Sequence, residues 1–169
     1  MSVSFSNKLV RRQDRLLSEE QAIRLLQLGG HGVLSMIDKD GHAYGIPINY
    51  VWDNQDSIYL HCAPEGRKLS CIEFNNKVSF CIVGITNVLP DKFSTEYESI
   101  ILECTAFINL ASDERMIALK LIIDKYSPDF KDKGMKYAGG SFGRTEIIKL
   151  DIISWSGKSK KLEKENLNI

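Results

Sequence analysis

The sequence predicts a mainly β fold, an antiparallel β-barrel with peripheral helices. Three observations support this class. About six strand-like segments stand beside only three helical ones along the 169 residues. The first three strands follow one another through tight turns, which suit antiparallel pairing, whereas parallel pairs need long crossovers. A closed or nearly closed barrel would also leave few exposed strand edges.

The first helix is predicted to begin after Ser18. Ser18 and Gln21 have the spacing of a capping box, and apolar residues at helical spacing continue until Gly29 and Gly30 end the pattern. A meander of three strands follows, because β-prone runs alternate with polar turns rich in Asp, Asn and Gly. The meander strands are predicted over 31–37, 43–52 and 57–62.

The second half of the chain mixes helices, strands and loops. Ser112, ahead of Asp113 and Glu114, is the predicted N-cap of a helix, since the helix dipole favours acidic residues in the first turn. Pro90 lies in one predicted loop, and Gly134, Gly139 and Gly140 lie in another. The predicted elements are a short helix over 64–74, strands over 77–85 and 97–110, a helix over 112–126 and a last strand over 142–155, with loops over 86–96 and 127–141.

Size and composition indicate one globular domain. Hydrophobic residues make up 43% of the chain and charged residues 26%, which is ordinary for a folded soluble domain. Because the sequence has no internal repeat and no Gly/Ser/Pro-rich linker, we predict a single domain over 18–157. A polar N-terminal arm over 1–17 and a polar C-terminal tail over 158–169 flank it.

Charge, hydropathy and cysteine content argue against nucleic-acid binding, membrane spanning, secretion and metal binding. The chain has 22 Lys plus Arg and 22 Asp plus Glu, so it lacks the basic surplus of a nucleic-acid binder. It has no apolar run of roughly 18 residues for a membrane span and no apolar segment of a secretion signal, which predicts a cytoplasmic location. The four cysteines form no C-x-x-C motif, and we expect reduced thiols and no metal site.

One candidate site lies where the third meander strand ends and the short helix begins. Pro64 suits the start of a helix, and Arg67 and Lys68 then fall in its first turn, where they oppose the helix dipole. A bound anion would reverse this unfavourable arrangement, and Arg67 offers a planar fork for a phosphate. The segment therefore indicates a phosphate site; the alternative is two solvated surface cations. Cys62 sits just before this basic helix start, but none of the four cysteines has a sequence context that defines a low thiol pKa.

A second candidate site lies in the second meander strand. Pro47 cannot donate to a strand ladder, so it marks an edge or a bulge, and backbone groups near it become available to a ligand. Asn49 lies on the same face as Pro47 and adds a polar side chain; the alternative is a plain edge strand. His61 ends the next strand, either as a ligand-contacting or catalytic residue or as a partly buried, hydrogen-bonded histidine.

These segments together resemble the flavin-binding split-barrel family related to pyridoxamine 5′-phosphate oxidase, and within it the nitroimidazole-resistance (Nim) proteins in particular. The resemblance extends from Arg11 to Lys158. It rests on the order and spacing of the segments 11–15, the helix after Ser18, 45–50, 61–68 and 155–158. It implies a six-stranded antiparallel split barrel of the FMN-binding type and a homodimer with FMN at the subunit interface.

The resemblance also implies roles for individual residues. Arg67 and Lys68 would bind the FMN phosphate. His61 and Cys62 would flank the ribityl chain or the ring, and His61 is the candidate for electron or proton transfer. The residues implied to lie against the isoalloxazine ring through their backbone are Pro47, Ile48, Asn49 and Tyr50. Those implied to approach the site from the partner subunit or the barrel rim are Trp155 and Lys158.

The resemblance defines the reaction less closely than it defines the cofactor. The resemblance implies an FMN-dependent oxidoreductase that reduces a small, electron-poor aromatic substrate such as a nitroimidazole. The alternative is a flavin- or haem-binding protein without turnover. The full set of basic residues expected for the substrate phosphate of a pyridoxamine 5′-phosphate oxidase is not found, which argues against vitamin B6 oxidation.

Overall fold

The computed structural model describes residues 4–161, which form one eight-stranded sheet with four helices. The strands are β1 (Ser4–Phe5), β2 (His31–Ile37), β3 (Ala43–Asn49), β4 (Val51–Trp52), β5 (Ser57–Cys62), β6 (Lys77–Leu89), β7 (Ser94–Phe107) and β8 (Glu146–Lys160). The helices are α1 (Glu19–Leu28), α2 (Arg67–Phe74), α3 (Ser112–Tyr126) and α4 (Lys131–Ser141). None of these helices is long and apolar enough to cross a membrane, as far as residues 4–161 are concerned.

The sheet is rolled into a barrel that is split along one side. The strand order is β3-β2-β6-β7-β8-β5-β4 with antiparallel neighbours throughout, and β1 adds in parallel to β8. β3 and β4 are separated in sequence only by Tyr50, yet they stand at opposite ends of this order. The two edges of the sheet must therefore approach each other at Tyr50. Within the described chain no ladder joins β3 to β5, and this gap is the split.

Tyr126 fixes the chain where it passes from one edge of the sheet to the other. The Tyr50 N–H donates to the Tyr126 hydroxyl at 3.0 Å, and that hydroxyl lies 2.7 Å from the Tyr50 carbonyl oxygen and 2.6 Å from that of Gly30. The Tyr50 side chain is fully buried, and its hydroxyl donates to the Leu26 carbonyl at 2.6 Å. Backbone groups that the strand break would leave unpaired are thus satisfied by α3.

Two apolar clusters hold the molecule together. Inward-facing residues of the barrel form the larger cluster, as the strict alternation of exposed and buried positions along β2 illustrates. Its largest fully buried members include Trp155, Tyr50, Phe80, Leu34 and Ile100. A smaller cluster lies outside the barrel, beneath α3 and α4, and consists of Val51, Tyr59, Ala118, Leu119, Ala138 and Ile147.

The structure confirms the predicted class, a mainly antiparallel β fold with peripheral helices, and corrects the strand count of six. The predicted strand 43–52 is broken at Tyr50 into β3 and β4. The predicted loop 86–96 is the end of a long hairpin, since β6 runs to Leu89 and β7 starts at Ser94. The polar residues of this segment pair across the two strands, as in the 3.1 Å bond from Asn87 to Glu96. A polar sequence was therefore compatible with strands here.

The helices also differ in detail from the prediction. The capping box of α1 is present as expected, with Ser18 and Gln21 bonded reciprocally. α3 is preceded by Ala111 as its N-cap, so Ser112 is the first helical residue instead of the cap. α4 occupies most of the predicted loop 127–141 despite its three glycines. Each glycine costs a helix roughly 1 kcal/mol, but α4 also packs its buried Ala138 into the smaller apolar cluster, and such tertiary packing favours the helix.

The N-terminal segment packs on the far half of β8. Phe5 meets Trp155 edge-on with ring centroids 5.0 Å apart, and Leu17 is buried against the barrel. β8 starts and ends later than the predicted strand 142–155, because residues 142–144 form a 3-10 turn and the strand pairs with β7 as far as Lys160. The rest of the predicted tail, residues 162–169, lies outside the described residues.

Candidate functional site

Several of the residues that sequence analysis identified as site candidates lie at the split between β3 and β5. β4 pairs with β5 through Val51 opposite Tyr59 and Trp52 opposite Ile58. Continuing this register past Tyr50 sets Asn49 opposite His61, across the split. Both side chains are exposed. The N–H and C=O groups of β3 that point away from β2 have no strand partner among the described residues and face this gap.

The residues predicted to contact the isoalloxazine ring, 47–50, do not share one face of the sheet, because successive residues of β3 alternate between its two faces. Pro47 and Asn49 are exposed on the outer face, whereas Ile48 is half-buried and packs against the barrel core. Tyr50 differs from all three, because its side chain is in the core and both of its backbone polar groups bond the Tyr126 hydroxyl. The structure therefore leaves the edge of Pro47, Ile48 and Asn49 open and gives Tyr50 a structural role at the end of the split.

Arg67 is held at the start of α2 by the hairpin between β2 and β3. One guanidinium nitrogen donates to Asp38 Oδ2 at 2.9 Å, and the guanidinium carbon lies 4.2 Å from the centre of the Tyr44 ring. Asp38 is fixed in turn, since its Oδ1 accepts the backbone N–H groups of Asp40 and His42. The bond from His42 and that from Arg67 lower the pKa of Asp38 against the effect of burial.

The first turn of α2 is a region of positive potential. Gly66 takes a φ of 126°, which ends the preceding segment and starts the helix at Arg67, three residues later than predicted. No side chain among residues 4–161 caps this helix, and its first turn carries no acidic residue. The N-terminal N–H groups, Arg67 and the half-buried Lys68 thus act in the same direction and favour an anion.

His61 and Cys62 point to opposite faces of β5, because successive strand residues alternate. His61 follows Tyr59 on the outer face, and Cys62 packs against the barrel core. Burial raises the pKa of the Cys62 thiol even though Lys68 acts to lower it. All four cysteines are free thiols; Cys71 and Cys104 are buried, while the other two are partly buried.

Trp155 and Lys158 lie elsewhere in the chain. His61 pairs with Ile147 on β8, and Trp155 is eight residues further along that strand, roughly 26 Å away at a rise of about 3.3 Å per residue. Trp155 is only 2% exposed, and its Nε1 has no hydrogen-bond partner among the described residues. Lys158 lies over the Tyr97 ring, 5.8 Å from its centre. A single chain does not bring these two residues to the split.

An apolar cavity of about 480 Å³ adjoins the split on its outer side. It lies between α3 and α4 and is open to solvent. His61 stands on its rim, and its apolar walls include Leu119, Ile122, Ile123, Phe130 and Tyr137. Sequence analysis missed this cavity because α4 was predicted as a loop. It missed Asp38 and Tyr44 as partners of Arg67 because both look like ordinary residues of a hairpin.

Comparisons with solved structures agree on the fold. A protein from Bacteroides thetaiotaomicron described as a 5-nitroimidazole antibiotic resistance protein superposes with a TM-score of 0.69 at 19% identity, over 86% of each chain. The FAD- and haem-binding protein of Mycobacterium smegmatis gives a TM-score of 0.73 at 18% identity, over 91% of this chain and 77% of that one. A flavocytochrome from Azotobacter vinelandii gives 0.66 at 17% identity, over 88% and 71%.

Sequence comparison assigns the chain to a protein family. No curated protein sequence matches this chain. A model of the family described as pyridoxamine 5′-phosphate oxidase matches residues 18–159, which is well over half of the chain. The match includes both edges of the split, the start of α2 and most of β8. The chain therefore belongs to the pyridoxamine 5′-phosphate oxidase family.

Proposed function

We propose that this protein binds FMN in the split between β3 and β5 and acts as a cytoplasmic oxidoreductase on small, electron-poor aromatic compounds of the nitroimidazole kind. The observation that carries the proposal is that the open backbone edge of β3 lies beside the cationic start of α2. Family membership supports it, as do structural neighbours described as flavin-binding or as a nitroimidazole resistance protein.

The residues present fit a flavin mononucleotide at both of its ends. Arg67 uses one guanidinium nitrogen for Asp38, which leaves other N–H donors for a phosphate, and Lys68 adds a second charge. The open N–H and C=O groups of β3 match the alternating donors and acceptors on the polar edge of an isoalloxazine ring. When bound, the flavin supplies the electron-transfer chemistry, while the protein supplies position and electrostatics.

A second copy of the chain would complete this site. The outer face of the sheet carries an uncharged cross-strand row that starts at the split, in which each residue is paired with the next. The row consists of Pro47, Val33, Cys81, Ile101 and Ser156. Val33 and Ile101 are exposed on it. We propose that this row is the homodimer interface, which would also allow Lys158, remote in its own chain, to join the site of the partner.

Placing a charge on this row is expected to separate the subunits. Ile101→Glu adds a carboxylate within the proposed interface, where burial without a counter-charge is costly. Sedimentation velocity should show a dimer for the wild type and a monomer for this variant. Ile153→Glu, an equally exposed β8 position outside the row, is the matched control and should remain dimeric. A dimeric Ile101→Glu protein would place the interface elsewhere.

A binding protein without turnover is the second candidate. The exposed His61 beside an apolar cavity is an arrangement that suits a haem, whose flat apolar ring needs such walls and whose iron takes an imidazole. Two of the structural neighbours are described as a haem-binding protein and a flavocytochrome, which supports this alternative.

The test is the visible absorption spectrum of the purified protein, followed by mass analysis of the released chromophore and titration of the apoprotein with FMN. A flavin spectrum, and bleaching by NADH or NADPH that a nitroimidazole reverses, would support the proposed function. A Soret band would favour the haem alternative. A colourless protein that does not take up FMN would overturn the proposed flavin function.

His61 is expected to act on the substrate and to contribute little to flavin affinity. Its side chain faces the rim of the cavity, where an imidazole can hold a proton near the acceptor's oxygen atoms. We expect His61→Ala to keep FMN bound and to slow single-turnover reoxidation by the acceptor by at least about tenfold, the lower end of general acid–base effects. His61→Gln, which keeps a hydrogen-bonding side chain but cannot act as a general acid, should be slowed in the same way as His61→Ala. Equal rates in all three proteins would exclude a catalytic role.

A further inference from the structure

The cavity between α3 and α4 has the properties of a ligand pocket. Its volume of about 480 Å³ lies within the range of roughly 300–1,000 Å³ that small-molecule sites occupy. Its floor consists of the buried side chains of Leu119 and Ala138 from the smaller apolar cluster. The two helices come close together at Gly134, where a Cβ atom would lie 2.8 Å from Ile123. The floor is therefore fixed by tight helix packing.

The mouth of the cavity exposes aromatic surface. Phe130 is 64% exposed and Tyr137 is 76% exposed, although both line the opening. Two exposed rings beside an apolar pocket extend the apolar surface that a bound molecule would cover. The polar side chains at the rim are few, and Lys133 is the single residue among the described lining that carries a permanent charge.

His61 connects this cavity to the split. It stands on the outer face of β5 at the cavity rim, and the β4–β5 register sets it opposite Asn49 across the split. One imidazole therefore borders both spaces. A molecule that occupies the cavity with its polar end toward His61 would present that end to whatever lies along the open edge of β3.

We propose that this cavity binds the body of the electron acceptor, and that the acceptor is an uncharged, largely apolar ring compound whose polar group meets His61. This inference rests on the proposed function and specifies its substrate class. The apolar walls disfavour an acceptor whose carboxylate or phosphate lies deep in the cavity, because away from the exposed Lys133 at the rim such a charge would be buried without a partner. Discrimination against charged analogues would then come from the α3–α4 pair.

The test uses nitrobenzene as the probe and the methyl groups of the full-length protein as reporters. Titration of the FMN-loaded protein, followed by methyl NMR, should shift the signals of Leu119, Ile122 and Ile123. 4-Nitrobenzoate, which carries a charge on the same ring, should produce much weaker shifts at equal concentration. Shifts confined to other methyl groups, or equal binding of both compounds at these methyls, would overturn the proposal.

Two matched tryptophan substitutions on α3 locate the site. Ile122→Trp fills the cavity and should weaken nitrobenzene binding by about tenfold or more, a loss readily resolved by titration. Ile117→Trp places the same side chain at an exposed position of the same helix outside the cavity and should leave binding unchanged. If Ile122→Trp does not fold, the methyl pattern of the wild type decides alone. Unchanged affinity in a folded Ile122→Trp protein would overturn the proposal.

The two proposals can fail separately. FMN affinity is measured by flavin fluorescence and does not depend on nitrobenzene. If FMN does not bind but nitrobenzene shifts the cavity methyls of the apoprotein, the pocket is supported and the flavin function is overturned. If FMN binds and the cavity methyls do not respond to nitrobenzene, the pocket is overturned and the flavin function stands.

Discussion

Replacing both Arg67 and Lys68 by alanine is expected to weaken FMN binding by between about 100-fold and 10,000-fold. Hydrogen bonds to a charged group contribute roughly 1.5–3 kcal/mol each, and every 1.4 kcal/mol is a factor of ten in affinity. The variant also removes the positive charge at the uncapped start of α2. Titration of the apoprotein with FMN, followed by quenching of flavin fluorescence, measures the loss.

Riboflavin provides the sharpest control for this prediction, because it has the same ring without the phosphate. Its affinity should be nearly equal in the wild type and in the Arg67→Ala, Lys68→Ala variant. Arg24→Ala with Lys120→Ala removes two exposed cations from other helices and should leave FMN affinity unchanged. If the first variant binds FMN as the wild type does, the phosphate lies elsewhere, and Arg67 serves only to tie α2 to Asp38 and Tyr44.

Trp155→Ala is expected to lower the free energy of unfolding by about 3–5 kcal/mol, the usual cost of truncating a large buried aromatic residue. Trp155 is 2% exposed in the larger core cluster, and its ring supports Phe5 of the N-terminal arm. For a chain of this length the loss corresponds to a fall in Tm of roughly 6–20 °C. Urea unfolding followed by circular dichroism measures it.

Trp155→Phe separates a packing role from a cofactor contact. The indole Nε1 has no hydrogen-bond partner among the described residues, so phenylalanine loses volume but no bond. Its destabilisation should be less than half that of Trp155→Ala, and its FMN affinity should equal that of the wild type. A Trp155→Ala protein with wild-type stability and weakened FMN binding would instead assign Trp155 to the cofactor site, as the family resemblance implied.

Local patterns in the sequence were sufficient for much of the fold. The capping box of Ser18 and Gln21 involves atoms three residues apart, and the exposed and half-buried positions of β3 follow the two-residue period of a strand. The basic start of α2 was likewise visible as Arg67 and Lys68 after a turn. Such features depend on near neighbours in the chain, which is why the class and most elements were predicted correctly.

The same local reasoning failed where packing between distant segments overrides propensity. The glycines of α4 signalled a loop, yet the helix forms because Ala138 and Gly134 pack against α3. Trp155, which the family resemblance implies to approach the cofactor site from the partner subunit or the barrel rim, is buried in the barrel core, and its role at the cofactor stays a prediction. The local sequence of α4 does not distinguish a helix from a loop.

The sequence by itself determined a single antiparallel β domain, a cationic helix start and a proline-bearing strand next to it in the chain. The tertiary structure determined how these elements are positioned relative to one another. Arg67 bonds Asp38 across 29 residues, and Tyr126 bonds Tyr50 across 76. Both contacts exist only because the rolled sheet brings its two edges together and α3 packs over their junction. The split, the orientation of Arg67 and the cavity beside His61 therefore follow from long-range packing, which residue spacing does not encode.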